Sequence, residues 1–117
     1  MDLLELREYC LSKPHVTESF PFGPGVLVFK VAGKMFALTD IDGTEPTVNL
    51  KCDPERAIEL RERHPEIIPG YHMNKKMWNT VSLYGALPDA LIRDLVDHSH
   101  TLVVESLPKK TRLELFS

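Results

Sequence analysis

Leu3, Leu6 and Cys10, with Leu4 and Leu11 beside them, recur at intervals of three and four, so the chain opens on one apolar helical face. Asp2 stands where its carboxylate accepts first-turn amide hydrogens, and Glu5 follows three residues on. This capping-box-like start predicts a helix from Asp2 to Ser12. Lys13-Pro14 ends it, because the residue before a proline avoids the helical region. Thr17-Glu18-Ser19 is expected to open a further turn. Phe20-Pro21-Phe22-Gly23-Pro24-Gly25 is too rich in proline and glycine for regular structure, and its two phenylalanines are expected to cap the core from an ordered loop.

The period then shortens to two. Val26 to Val31 and Lys34 to Thr39 are short and apolar, and Ala32-Gly33 between them marks a hairpin. After a turn at Asp42-Gly43, Thr47-Val48-Asn49-Leu50-Lys51 alternates as a strand with one buried face does, which completes a three-stranded meander. Asp53-Pro54-Glu55 places an acceptor, a proline and a negative charge where a helix start favours each. That second helix runs to His64-Pro65, with Ala57, Ile58 and Leu60 buried and Glu55, Glu59, Arg61, Glu62 and Arg63 toward water. Two strands, Ile67 to Met73 and Met77 to Tyr84, are expected around Asn74-Lys75-Lys76. Leu87-Pro88-Asp89 opens the longest helix, whose stripe is Leu91, Ile92, Leu95, Val96, Ser99, Leu102, Val103 and Ser106. A serine within that stripe predicts a close approach to the sheet.

The expectation is an α+β fold in two layers: an antiparallel sheet of about five strands with three helices on one face, in the order α-β-β-β-α-β-β-α. Residues 1–117 form a single domain, with a short basic tail from about residue 108. If Leu27, Phe29, Val31, Phe36, Leu38, Val48, Leu50, Met77, Val81 and Leu83 face the helices, alternation sends Val26, Val28, Lys30, Met35, Thr39, Thr47, Asn49, Lys51, Trp78, Thr80, Ser82 and Tyr84 to the other side. That second face is then open, polar, lysine-bearing and aromatic. Its structural alternative is a second small core, with the loop from Phe20 to Gly25 covering Trp78 and Tyr84.

Composition narrows the function classes. A chain of 117 residues, 43% hydrophobic, has room for one core and no second domain. With 17 acidic against 14 basic residues and a formal charge of −3, it has no overall attraction for nucleic acid or anionic lipid, so a polyanion site has to be a local patch. Met1-Asp2-Leu3-Leu4-Glu5 carries acids where a secretory signal carries bases, and no stretch approaches the length of a membrane span, so the cytoplasm is the expected location. Cys10 and Cys52 form no Cys-x-x-Cys pair and read as reduced, buried thiols.

No catalytic constellation emerges. His98 and His100 are two apart on a helix and point about 200° from one another, so they cannot share a metal ion. His15, His64 and His72 show no ligand spacing, and no cofactor is implied. Asp97-His98-Ser99 are adjacent in sequence, yet neighbours on a helix diverge, whereas a triad converges. Chemistry other than folding gathers instead from Pro69 to Tyr84, which holds the single tryptophan, two of three tyrosines, His72 and the pair Lys75-Lys76, without one carboxylate.

At His72-Met73-Asn74-Lys75-Lys76-Met77-Trp78-Asn79-Thr80-Val81 the sequence resembles the MmcQ/YjbR family of small bacterial proteins. The likeness extends to Arg7-Glu8-Tyr9-Cys10, Phe20-Pro21-Phe22-Gly23, Gly33-Lys34-Met35-Phe36-Ala37, Leu50-Lys51-Cys52-Asp53-Pro54, Gly85-Ala86-Leu87-Pro88-Asp89 and the helix ending in Leu107-Pro108-Lys109-Lys110. The resemblance implies a CyaY-like or secretion-chaperone-like α+β fold and DNA binding through paired β-hairpins acting as a double wing. It departs at Met77, where many members carry histidine before the tryptophan. The candidate binding residues are Lys34, Lys51, His72, Asn74, Lys75, Lys76, Trp78 and Thr80, with DNA as the first expected partner. The alternative is a polypeptide partner or a second copy of the chain, and a third reading is a small-molecule-binding protein built around His72 and Trp78.

Overall fold

The computed structural model describes residues 1–71 and 73–116. Its elements are α1 (Leu3–Leu11), β1 (Val16–Ser19), β2 (Val26–Val31), β3 (Lys34–Asp40), β4 (Thr47–Lys51), α2 (Pro54–Arg63), β5 (Ile67–Pro69), β6 (Trp78–Ser82), α3 (Asp89–Glu105) and α4 (Lys109–Phe116). The six strands make one antiparallel sheet in the order β1-β2-β3-β4-β6-β5. Leu6 and Cys10 of α1, Ala57 and Leu60 of α2, and Ile92, Leu95, Val96 and Val103 of α3 join Leu27, Phe29, Val31, Phe36, Val48, Leu50, Val81 and Leu83 in one core on one side of it. No helix among the described residues is long and apolar enough to cross a membrane.

The local signals act as read at both predicted caps. The Glu5 amide donates to Asp2 Oδ1 at 2.8 Å, and the amides of Glu55 and Arg56 donate to Asp53 Oδ1 at 3.0 and 3.2 Å. Ala32 and Gly33 both take positive φ, 49° and 82°, which forms the tight turn whose twist matches the flanking strands.

Four expectations need correction. Thr17-Glu18-Ser19 opens no helical turn: with Val16 it forms β1 on the free edge of β2, Val16 opposite Val31 and Ser19 opposite Val28. Unpaired strand-edge groups outweigh the helical preference of three residues, and Arg7 of α1 adds a contact by donating to the Glu18 carboxylate through Nε at 2.8 Å and Nη2 at 2.6 Å. The basic tail is helical. α4 lacks a buried stripe and is held at its far end, where His15 Nε2 bonds the Leu115 carbonyl oxygen at 2.8 Å and the Phe116 ring meets the edges of His15 and His100. Ile58 is 53% exposed, whereas Arg61 turns inward. β5 is shorter than expected, because Pro69 has no amide hydrogen and the Tyr71 amide leaves the ladder to donate to Thr80 Oγ1 at 3.0 Å.

The most consequential difference lies in β3. Phe29 pairs with Ala37 but Lys30 pairs with Met35, so Phe36 is an extra residue, a β-bulge. Phe36 and Ala37 both face the helices. Beyond the bulge alternation is inverted: Thr39, opposite Leu27, turns to the helix side, and Leu38, opposite Val28, turns to the open side. The bulge also shortens the pairing of β3 with β4 to Ala37 opposite Leu50 and Leu38 opposite Asn49. Hydroxyl groups bridge both ends of that short ladder. Ser99 Oγ, fully buried on α3, donates to the Phe36 carbonyl at 2.5 Å and accepts from the Lys51 amide at 2.9 Å, while Thr39 Oγ1 donates to the Thr47 carbonyl at 2.7 Å. The serine in the apolar stripe is thus explained.

Candidate functional site

The face away from the helices is ordered in rows by the strand register. One end row runs from Lys30 opposite Met35 on β2 and β3 to Lys51 opposite Trp78 on β4 and β6. The middle row is Val28, Leu38, Asn49, Thr80 and Ile68, each opposite the next. The far end holds Val26 opposite Asp40 and Thr47 opposite Ser82. Two segments rise beside these rows, carrying Phe22 on one side and Tyr71 and Met73 on the other, and between them lies a groove of about 660 Å³. Its walls are Phe22, Val26, Met35, Leu38, Ile68, Tyr71 and Met73, its polar lining Asp40, Thr47, Asn49 and Thr80.

The groove's floor is fixed by a short polar chain. The Tyr71 amide donates to Thr80 Oγ1, and that hydroxyl donates to Asn49 Oδ1. Asn49 is only 8% exposed, and with its oxygen taken, its amide nitrogen meets no acceptor among the described residues. The Tyr71 wall is set by close approach at Gly70, whose amide donates to the Trp78 carbonyl at 2.8 Å. A Cβ on Gly70 would lie 2.8 Å from Trp78 Cβ, so a side chain there would displace the wall. Phe22, Ile68 and Tyr71 are 67, 50 and 65% exposed, an unusual concentration of open apolar surface around one concavity.

The sequence candidates divide. Thr80 lines the groove, and Lys51 and Trp78 lie on the same face in the basic row beside its Met35 end, outside the lining itself. Lys34, opposite the core residue Val31, points to the helix side, where its ammonium donates to the Ser106 carbonyl at 3.5 Å. Asn74 is occupied with folding: its Oδ1 accepts from the Lys76 amide at 3.0 Å and its carbonyl accepts from the Trp78 amide at 2.9 Å. Lys75 donates to the Gly70 carbonyl at 3.2 Å, and its own carbonyl accepts from Arg61 Nη2. Lys76 is exposed, and His72 lies outside the described residues. Phe20 and Phe22, expected over the core, are 47 and 67% exposed; Tyr84 is 55% exposed with its hydroxyl on Glu45, and Trp78 is half-buried. Met77, expected against the helices, precedes β6 and is 37% exposed.

Sequence reasoning placed Val26 and Met35 on this face but did not single them out, and it missed Leu38, Asp40, Ile68 and Tyr71 as groove residues. Alternation could not find Leu38 or Asp40, because the bulge leaves no mark in the hydrophobic pattern.

The groups whose sequence suggests chemistry are otherwise engaged. Asp97 accepts from the Tyr9 hydroxyl at 2.6 Å and pairs with Lys13, His98 Nε2 accepts from the Asp53 amide at 3.1 Å, and Ser99 bridges the sheet. Burial and the bond to Asp97 push the Tyr9 hydroxyl up to about 12, and burial pushes the Cys10 thiol to about 12 and also raises Cys52, so neither thiol is an activated nucleophile. Among the described residues no three His, Cys, Asp or Glu side chains converge as metal ligands.

A family model described as YjbR matches residues 11–102. The chain is 41% identical over 104 residues to Uncharacterized protein YbdF of Escherichia coli O157:H7, covering 89% of this chain and 85% of that one. It is 38% identical over 112 residues to Uncharacterized protein YjbR of Escherichia coli K12, covering 96% and 95%. Among solved structures, a Deinococcus radiodurans protein whose domain is described as DUF419 superposes with a TM-score of 0.91 at 45% identity, over 96% of this chain and 86% of that one. A Pseudomonas syringae protein does so with a TM-score of 0.77 at 30% identity, over 87% and 98%.

Proposed function

Because the chain belongs to the YjbR family, and the relatives above are named only as uncharacterized proteins, we propose its function from its own geometry: a binding module, without chemistry of its own, that takes a small apolar ligand into the groove on the open face of the sheet. The observation that carries this reading is the groove itself. Its volume of about 660 Å³ falls within the range of small-molecule sites, and its makeup, apolar walls over a few fixed polar groups, is theirs as well. Met35 and Met73 add unbranched, polarizable side chains that adapt to an occupant's shape.

The test is titration with N-phenyl-1-naphthylamine, a neutral apolar dye that fluoresces when it leaves water. Saturable enhancement that is lost in Leu38→Lys and in Ile68→Asp, with circular dichroism unchanged, supports the reading. Enhancement that is absent, or equal in both variants, overturns it.

One observation favours a second reading. Lys30, Lys51 and Trp78 share one end row, ammonium groups beside an aromatic ring, the elements with which proteins hold single-stranded nucleic acid. Labelled single-stranded and duplex DNA at about 50 mM salt, followed by anisotropy, decides it: electrostatic association is favoured there, and no binding of either form ends it.

A further inference from the structure

Resting on the groove reading, we propose that the occupant is an apolar chain with an anionic head, its head between Lys30 and Lys51 and its tail along the groove toward Val26. The argument is the distribution of polar groups along the groove's length. Lys30 and Lys51 flank Met35 two strand spacings apart, about 10 Å, so both flexible side chains reach an anion placed over Met35. Among the described residues neither ammonium meets a carboxylate or a hydrogen-bond acceptor, whereas Lys13, Arg7 and Arg56 all do. The next open-face position along β4 is Asn49, about 7 Å on, whose amide nitrogen is an unused donor because its oxygen is committed to Thr80. Lys30 and Lys51 therefore stand without acceptors at one end, and Asn49 adds a third donor in the middle row beside them.

The opposite end carries the opposite sign. Asp40 lines the groove there, its Oδ1 accepting from the Asp42 amide at 2.9 Å, and Asp42 and Glu45 follow on the same exposed turn. An anion is attracted at the Met35 end and repelled at the Asp40 end, so a ligand of one negative head and one apolar tail has a single favourable orientation. A neutral apolar ligand would leave the donors unused, and a cationic one would meet them as like charges. The apolar walls Val26, Leu38 and Ile68 receive the tail on either side of the Asn49 and Thr80 floor.

Decanoate, decanol and decyltrimethylammonium share a tail and differ in head. Their displacement of N-phenyl-1-naphthylamine, measured below micelle formation, isolates the head. Decanoate is expected to displace the dye at about tenfold lower concentration than decanol, with the cation weakest, and the gap is expected to narrow as salt rises. The double variant Lys30→Glu, Lys51→Glu is expected to reverse the order, and Lys30→Gln, Lys51→Gln, which changes charge without reversing it, to abolish the preference with dye binding kept. Equal displacement by decanoate and decanol, or an order unmoved in both double variants, overturns the inference and leaves the groove reading standing. Failure of the dye to bind the unaltered protein removes both.

Discussion

Ser99→Ala removes one oxygen and, with it, two bonds that close the open end of the β3–β4 ladder. The site is fully buried, so no water replaces the hydroxyl at the surface. The Phe36 carbonyl and the Lys51 amide are then left without their partner, each costing about 1–3 kcal/mol, which places the total at about 2–4 kcal/mol after the lost burial cost of the hydroxyl is credited. At a urea slope of about 2 kcal/mol per molar, the unfolding midpoint should fall by roughly 1–2 M with the slope unchanged. Fluorescence of Trp78, opposite Lys51, reports the transition alongside circular dichroism. Thr39→Val supplies an internal scale, since it orphans only the Thr47 carbonyl and should cost about half as much. A Ser99→Ala loss below about 0.5 kcal/mol, or one smaller than that of Thr39→Val, would refute the bridging role: the strands would then have paired without the serine.

Gly70→Ala puts a Cβ 2.9 Å from the Trp78 carbonyl oxygen and 3.1 Å from Met73 Cβ, so it should cost about 1–3 kcal/mol and weaken dye binding by displacing the Tyr71 wall; wild-type melting with wild-type dye affinity would contradict this. Ala32→Asn relieves a left-handed alanine and supplies the Asn-Gly pair that tight hairpins prefer, which should raise stability by about 0.5–1 kcal/mol in chemical denaturation; a loss would refute the turn assignment. His98 and His100 titrate below the ordinary histidine range, His98 through burial and then Arg56, His100 through burial and then Lys13. The unfolded chain therefore binds more protons just below its own value of about 6.5, so stability is full above that pH and falls as pH drops through the window; melting at pH 7.5 and 5.5 should show the lower temperature at 5.5, and a flat or rising profile would refute it.

What the sequence disclosed and what it hid follow one physical division. Asp2, Asp53 and Ala32-Gly33 act through neighbours within four residues, so their effects were legible. Val16 to Ser19 became a strand because β2, ten residues on, offered an unpaired edge, and four residues cannot announce a partner they have yet to meet. α4 escaped because helical periodicity reports burial, and a helix with no buried residue leaves no such trace. For the groove, alternation found the open face and its Lys51, Thr80 and Trp78, yet the bulge at Phe36 exchanged Leu38 with Thr39. Lys34 looked available and is turned to the helix side, because hairpin pairing carries it to the same face as Val31.

The two outermost strands, β1 with four residues and β5 with three, are the shortest in the sheet, and β5 ends in Pro69. Exposed edges are where sheets recruit one another into fibres, and brevity with a missing amide hydrogen is how such edges are blunted. A second copy adding itself edge to edge would gain only a few ladder bonds, too few to hold an isolated strand pair in water. The protein can therefore keep a wide, partly apolar sheet face open to solvent without its borders becoming sites of uncontrolled growth.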